Sequence, residues 1–389
     1  MDQHSRSDPL AAARDLGPII AAAADEIERT QRIPAPLLAQ LHQARLFRML
    51  LPRSAGGDAI EPGTYLRTVE EVAQHDGSVG WCLFTGNSSA LMAAYLPPEV
   101  AREIWGDRCA AVAWGPPNAS TAQAVPGGYR VSGTWQFASG CRHAQWMGAH
   151  CRVAEPDGSL RMNRFGRPTV RSLLFPASRA TLLDGSWDVI GLRGTASDAY
   201  SVTDLFVPEA FSSTREDPTL RREPGRLYAF TVQGLYAVGA AGVALGLARA
   251  MLDGFIALAR RKTPRALGPL AGNAVVQAGV ARAEARFGAA RTWLLATLEA
   301  IWAEADDVAP IDIAARARLR LATVHAIEAA IEVADYAYRA AGADAIFAGS
   351  AFERRFRDMH TLSQQTQARL AHFEAVGQVM LGTVPESFL

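Results

Sequence analysis

Two aromatic residues and a hydroxyl alternate within residues 133–146, which read GTWQFASGCRHAQW. Successive side chains of a β-strand point to opposite faces, so an extended backbone would place Trp135, Phe137 and Ser139 on one face. Such a face is a wide apolar wall that ends in one hydrogen-bonding group. It suits a flat, mostly apolar ring with a polar edge, and a flavin has that shape. Taken alone, the segment slightly favours the alternative that both aromatics are buried in the core of a β domain.

The composition excludes several classes of function. The chain has 389 residues, with 39 Lys and Arg against 39 Asp and Glu, so its formal net charge is zero and nothing indicates nucleic-acid binding. The cysteines have no metal-binding spacing and predict unpaired thiols in a cytoplasmic protein without a metal site. The longest apolar run, residues 238–248, is too short to cross a bilayer, so no membrane segment is expected.

Hydrophobic periodicity divides the chain into three regions. Apolar residues first recur at helical spacing, and short β-like runs separated by turn residues follow. Four alanine-rich helical runs then fill the rest, near 228–261, 272–306, 311–341 and 351–381. Asp76-Gly77-Ser78 has the composition of a helix N-cap. We therefore predict an α+β multidomain fold with an N-terminal α-helical domain (1–108), a central β-barrel or sandwich (109–225) and a C-terminal four-helix bundle (226–389).

Four sequence motifs make this order of domains resemble the acyl-CoA dehydrogenase fold. They are, in chain order, DGSVGW at 76–81, WQFASG at 135–140, GLRGTAS at 191–197 with DLFVP at 204–208, and ERRFRD at 353–358. Their order and spacing are similar to those of the family over nearly the whole chain. The resemblance implies the three-domain fold and a flavin held between the β domain and the bundle.

The residues depart from the dehydrogenase branch of that family at its catalytic base. That branch removes a proton with a buried glutamate, which most members place nine residues after the arginine of the RD pair. The corresponding position here is Thr366, and the other family position, early in the first bundle helix, has no glutamate either. Loss of a general base removes a rate factor of about a hundred or more. We therefore expect the fold to be retained and the chemistry to differ.

The chain resembles instead the two-component flavin-dependent monooxygenases, which include the steroid-ring phenol hydroxylases. The pattern W-x-F-x-SG-C-x-HA-x-W runs from 135 to 146, and RD-x-H ends at His360. The resemblance implies an oxygenase component that hydroxylates a phenolic or heteroaromatic substrate with O2 through a C4a-hydroperoxyflavin. Reduced FMN or FAD, with FMN slightly preferred, would come from a separate NAD(P)H-dependent flavin reductase, and the enzyme would be a homotetramer.

The resemblance also implies roles for individual residues. Ser139 would bind flavin N5, and Trp135 and Phe137 would exclude water from the ring; the alternative for Ser139 is a hydroxyl that caps its own turn. His360 would accept a phenol proton or donate a proton to the oxygenated flavin. The alternative for His360 is a helix histidine that faces solvent. Trp114 would flank the flavin. The flavin phosphate would bind Arg261 or Arg265, whose spacing departs from the family pattern and which could equally be solvated cations.

Three alternatives remain open at the level of sequence. An S- or N-oxygenase on the same fold would need no phenol base. A residual acyl-CoA dehydrogenase would reduce its own flavin. A non-catalytic flavin-binding homologue would carry out no chemistry at all. Several relatives carry a substrate-side histidine in the segment that corresponds to 86–89. This segment reads GNSS here, so the resemblance does not predict which substrate is bound.

Overall fold

The computed structural model describes residues 8–164, 166–214, 217–265 and 268–383. Its first third is helical, as the periodicity predicts. The predicted N-cap is confirmed, because the Asp76 carboxylate accepts a hydrogen bond from the Val79 N–H at 2.9 Å. The five helices of this region are α1 (Pro9–Thr30), α2 (Ala35–Gln43), α3 (Pro62–His75), α4 (Gly77–Ala90) and α5 (Pro98–Trp105).

The central strands form one sheet in the order β6-β7-β3-β2-β4-β5-β8, and β1 pairs with β4. The pairs β1–β4 and β2–β4 are parallel and the others are antiparallel. The sheet has its own hydrophobic core, separate from the helical core. The strands are β1 (Val112–Trp114), β2 (Thr121–Val125), β3 (Gly128–Trp135), β4 (Trp146–Ala154), β5 (Val170–Pro176), β6 (Thr181–Leu183), β7 (Ala199–Pro208) and β8 (Ser212–Ser213).

The C-terminal region is a helical bundle that shares one hydrophobic core with the N-terminal helices. The two helical regions pack so closely that a Cβ on Gly246 of the bundle would overlap the carbonyl oxygen of Glu70 in the N-terminal region. The bundle helices are α6 (Val232–Arg261), α7 (Ala274–Glu304), α8 (Ile313–Ala341), α9 (Ala351–Ser363) and α10 (Ala371–Met380). The predicted helix–sheet–bundle architecture is therefore confirmed.

Two details of the bundle depend on burial. The prediction of one continuous helix over 351–381 is wrong, since the chain leaves the helix after Ser363 and Gln367 turns inward, where it accepts a hydrogen bond from buried Arg320. Helix α6 is long and apolar enough to cross a membrane by length and composition alone. However, 83% of its most apolar window is buried by other parts of the protein, as in a core helix.

Candidate active site

The backbone turns sharply after Trp135, so the predicted extended segment 135–139 is wrong. Strand β3 ends at Trp135, and Phe137 adopts a left-handed conformation with φ of 62°. The Trp135 side chain is fully buried in the sheet core, where it stacks on Tyr200 and donates from Nε1 to the His150 carbonyl at 3.2 Å. Trp135 thus packs inside the sheet domain and does not share a face with Phe137 and Ser139.

Phe137 is on the surface of the sheet domain. Its side chain is 56% exposed and meets Trp187 edge to face, with ring centroids 6.0 Å apart. The Ser139 N–H donates to the Phe137 carbonyl at 3.0 Å, which closes a tight turn. The turn places an exposed aromatic ring two residues from a half-buried hydroxyl. Of the three residues predicted to share one face, Phe137 and Ser139 lie close together, and Trp135 does not join them.

Ser139 belongs to a row of hydrogen bonds whose direction can be worked out. The Thr195 hydroxyl donates to the Leu192 carbonyl at 2.8 Å, so it accepts from Ser197, 2.7 Å away. The single Ser197 hydrogen is then used, and Ser197 accepts from Ser139 at 2.7 Å. Ser139 in turn accepts from Nε1 of Trp81 at 3.0 Å. Because a hydroxyl oxygen has two lone pairs, Ser139 keeps one acceptor position for a further N–H or O–H donor.

The loop that carries Thr195 and Ser197 is fixed by helices α4 and α9. The Leu192 N–H donates to the Asp358 carboxyl at 2.5 Å, and the Gly194 N–H donates to the Ser78 hydroxyl at 3.2 Å. Burial, together with the nearby charge of Asp76, raises the pKa of Asp358 to about 7. The structure therefore brings the DGSVGW, WQFASG, GLRGTAS and RD motifs to one place.

His360 lies on another side of α9 from Asp358, because two residues correspond to about 200° of helix rotation. Its Nε2 is 3.0 Å from Oδ1 of Asp335 in α8, and its ring packs against Phe356 with centroids 4.2 Å apart. The side chain is 34% exposed. A carboxylate fixes this imidazole and leaves Nδ1 for a second partner. Ser139 and His360, the two predicted catalytic residues, are not in contact. Helix α9 connects them indirectly, because it carries His360 and its Asp358 fixes the loop that contacts Ser139.

The other predicted site residues are dispersed. Trp114 in β1 is nearly buried against Gly148, with its ring centroid 4.9 Å from that of His150. Arg261 ends α6 and Arg265 follows it; both are exposed, and neither makes an ion pair with another described residue. The structure does not bring Trp114, Arg261 or Arg265 to Ser139 within this chain.

His143, the histidine of the WQFASGCRHA pattern, is packed beside Gly140. Its ring meets Phe47 edge to face at 5.9 Å, and Phe47 stacks on His42. Burial, reinforced by nearby His42, lowers the pKa of His143 to about 4, so this imidazole is neutral at physiological pH. It orders the turn after Ser139.

Sequence reasoning missed several residues that build the site. Trp81, Ser197 and Asp358 stand inside the motifs that carry the resemblance, so a reading of every polar motif residue as a hydrogen-bonding group could have found them. Asp335 had no such signal, because its pairing with His360 joins two different helices. In the described part of the chain, no cluster of metal-ligating side chains occurs.

Comparison with known proteins defines the class and then the family. The acyl-CoA dehydrogenase N-terminal domain matches residues 14–104, and the acyl-CoA dehydrogenase C-terminal domain matches residues 238–369. Two solved structures have the same fold at 24% identity. They are 3-HSA hydroxylase from Rhodococcus sp. RHA1 (TM-score 0.89, 100% of this chain and 99% of that one) and XiaF from Streptomyces sp. in complex with FADH2 and glycerol (TM-score 0.88, 98% and 97%).

Indole-3-acetate monooxygenase from Pseudomonas putida is 30% identical over 369 residues, which cover 92% of this chain and 90% of that protein. The chain therefore belongs to the flavin-dependent monooxygenases that are built on the acyl-CoA dehydrogenase fold.

Proposed function

We propose that this protein is an oxygenase component that inserts one oxygen atom into a small aromatic compound with an anionic or polar substituent. Indole-3-acetate is the first substrate to test, because the Pseudomonas putida relative is named for it. In the balanced reaction, one atom of O2 enters a C–H bond of the substrate and the other leaves as water. Reduced flavin supplies the two electrons and arrives from a separate NAD(P)H-dependent reductase.

The free acceptor position of Ser139 carries this proposal. Reduced flavin presents an N–H at N5, and Ser139 is fixed to accept from such a donor because its own hydrogen is committed to Ser197. Phe137, exposed beside it, offers an apolar surface that would keep water from the ring. The residues present thus fit a flavin, and Trp135 has no part in holding it.

His360 is proposed to hold or move a proton at the substrate. Asp335 at Nε2 orients the imidazole, and Nδ1 is the nitrogen that would meet a phenol or indole group. Since a phenol is a weak acid with a reference pKa of about 10, its deprotonation at neutral pH would accompany oxygen transfer and would not precede it.

Product yield per oxygen consumed tests both roles. With photoreduced flavin and 18O2, we expect Ser139→Ala to lower labelled product per O2 and raise H2O2 by about tenfold, the cost of one buried hydrogen bond. His360→Ala should slow turnover of a phenolic substrate by about a hundredfold. Exposed Ser54→Ala, which loses a contact with Glu223, is the control.

The same assay separates the alternatives. A pure flavin binder would consume no more O2 than free flavin, and an S-oxygenase would tolerate His360→Ala. An acyl-CoA dehydrogenase would reduce its flavin anaerobically with an acyl-CoA. If the wild type formed no labelled product from any aromatic substrate, the proposal would be contradicted. Binding of reduced FMN and reduced FAD, measured side by side, tests the slight preference for FMN.

We also propose a cytoplasmic homotetramer. Helix α7 buries one stripe of side chains against the rest of the chain and leaves large apolar groups outside, including Trp293 and Val275. Arg261 and Arg265 are exposed at the end of α6, where a neighbouring subunit could bring them to the flavin phosphate. The four cysteines are unpaired, which agrees with a reducing compartment.

A further inference from the structure

Helix α1 packs directly against the loop 191–197. A Cβ on Gly194 would overlap Cγ2 of Ile27, so no side chain separates the loop from this helix. The next residue of α1, Glu28, is only 26% exposed, and its Oε1 accepts a hydrogen bond from Nη1 of Arg357 in α9 at 2.8 Å. The N-terminal helix thus holds a carboxylate at the place where the loop meets the RD motif.

Glu28 joins two arginines that each hold a backbone carbonyl just before the loop. Arg357 donates from Nη1 to the Ile190 carbonyl. Arg193 donates from Nη1 to the Val189 carbonyl at 2.9 Å, and its Nε lies 3.6 Å from Oε1 of Glu28. One carboxylate oxygen therefore lies between two guanidinium groups whose other contacts fix the segment that leads into the loop.

The charges of this group balance only while Glu28 is ionised. Glu353, one turn before Arg357 in α9, accepts from the same guanidinium at 2.9 Å, so two carboxylates face two guanidinium groups. Removal of the Glu28 charge would leave Arg193 without a counter-charge among the described residues and two cations facing one carboxylate. Since like charges repel, the contacts of both arginines with 189–190 would weaken.

We propose that Glu28 is a positioning residue for the oxygenation reaction. It keeps the loop in place, so that Ser197 remains the acceptor of the Ser139 hydrogen. If the loop moved away, Ser139 would regain a free O–H and could turn it toward the flavin, where the N–H at N5 needs an acceptor. This inference rests on the proposed function, because the direction of the Ser139 hydroxyl matters through its contact with reduced flavin.

The same two helices carry a second ion pair, which supplies a matched control. Oδ1 of Asp25 accepts from Nη1 of Arg354 at 2.8 Å, about one turn away from Glu28 and Arg357. Asp25 is 90% exposed, and within the described chain neither member of this pair makes a hydrogen bond to 189–197. Glu28→Gln and Asp25→Asn thus each remove one carboxylate charge from the contact between α1 and α9, and only the first affects the loop.

Hydrogen–deuterium exchange of the flavin-free protein tests the positioning role without turnover. We expect Glu28→Gln to speed exchange in a peptide covering 189–197 by about fivefold, the upper range for a partly exposed ion pair, and Asp25→Asn to match the wild type. Peptides from the buried part of α6 should exchange alike in all three proteins. Glu28→Asp, which keeps the charge, should restore much of the protection. Equal loop exchange in Glu28→Gln and the wild type would overturn the proposal.

Ionic strength gives a second test that does not depend on the folding of Glu28→Gln. Salt at about 1 M screens charges beyond about 3 Å, so it should speed loop exchange in the wild type. Asp25→Asn should keep the full salt response, because the Glu28 contacts remain. A loop whose exchange is the same at low and high salt in both proteins would contradict the role of Glu28.

Product yield connects the loop with the chemistry. With photoreduced flavin and 18O2, labelled product per O2 should fall in Glu28→Gln, recover in Glu28→Asp and stay at the wild-type level in Asp25→Asn. A loosened loop with an unchanged product yield would overturn the positioning role and leave the proposed function standing. A wild type that forms no labelled product would refute the proposed function and, with it, the role of Glu28 in oxygenation.

Discussion

At the scale of single residues, the site is defined by hydroxyl and carboxyl groups whose hydrogen bonds have a definite direction. Ser139 accepts from Trp81 and donates to Ser197, so its remaining interaction is as an acceptor. Burial, together with the nearby charge of Asp76, raises the pKa of Asp358, whose carboxyl accepts from the Leu192 N–H. Its titration should therefore be visible in the stability of the whole protein.

We predict that Asp358→Asn reduces the loss of stability between pH 4 and pH 7. The folded pKa of about 7 lies above the unfolded value of 3.8, so the folded state binds the proton more tightly. The favourable contribution is present below the unfolded pKa and is lost as pH rises through the folded one. Wild type should lose on the order of 1 kcal/mol per pH unit relative to the variant.

Chemical denaturation at several pH values measures this difference. Asparagine keeps an oxygen that accepts from the Leu192 N–H, so the loop contact survives. Asp253→Asn, at an exposed carboxylate paired with Arg249, is the control and should follow the wild-type pH profile. Parallel curves for wild type and Asp358→Asn would show that Asp358 is ionised in the folded protein.

At the scale of elements, the site depends on how closely the loop 191–197 approaches helix α9. A Cβ on Gly191 would overlap the carbonyl oxygen of Arg357, so only glycine permits this contact. The approach lets the Leu192 N–H reach Asp358 and sets the position of Thr195 and Ser197. Gly191 thus acts on Ser139 through the loop, without touching it.

We predict that Gly191→Ala destabilises the fold by about 1–3 kcal/mol, the usual cost of forcing atoms into a filled space. It should also lower the coupling of oxygen use to product, because the loop can no longer place Ser197 under Ser139. Gly288→Ala in α7 is the control: nothing lies within 4 Å of its added Cβ, and alanine should stabilise the helix. Unfolding free energies and product yields of the two variants, measured together, decide the point.

The secondary-structure elements show which features of the fold could be predicted from the sequence and which could not. Helical and strand periodicity located most elements, since each buries one face and its pattern is local. The direction of Trp135 was mispredicted because Phe137 takes a left-handed backbone that alternation does not anticipate. The break after Ser363 was missed because the Arg320–Gln367 contact that accompanies it joins residues that are distant in the chain. The pairing of His360 with Asp335 is long-range in the same way.

At the scale of the whole molecule, the N-terminal helices and the bundle form one hydrophobic core and the sheet forms another. The motifs meet where these two units adjoin, so the geometry around Ser139 depends on their relative position. Exposed apolar side chains on α7 lie outside both cores, and a tetramer would cover such a face. Assembly would then fix the position of the bundle against the sheet.

We predict that Trp293→Glu weakens the proposed tetramer. Trp293 is 41% exposed on α7, and a carboxylate placed in an apolar interface cannot be hydrated or paired there. Sedimentation velocity over a range of protein concentrations should show dimers or monomers at concentrations where wild type is tetrameric. Ile19→Glu, on the similarly exposed surface of α1, is the control. A monomeric wild type would contradict the proposed assembly.

The row from Trp81 to the Leu192 carbonyl has a consequence for how protons travel. Each hydrogen along it already has an acceptor, and the row begins at an indole nitrogen, which does not release its proton at physiological pH. A Grotthuss-type transfer that entered at the free acceptor position of Ser139 would have no outlet, because the Leu192 carbonyl at the far end cannot pass a proton on. The serine row therefore holds the Ser139 hydroxyl in one orientation and does not conduct protons, so in the proposed reaction protons would pass through His360 or through solvent.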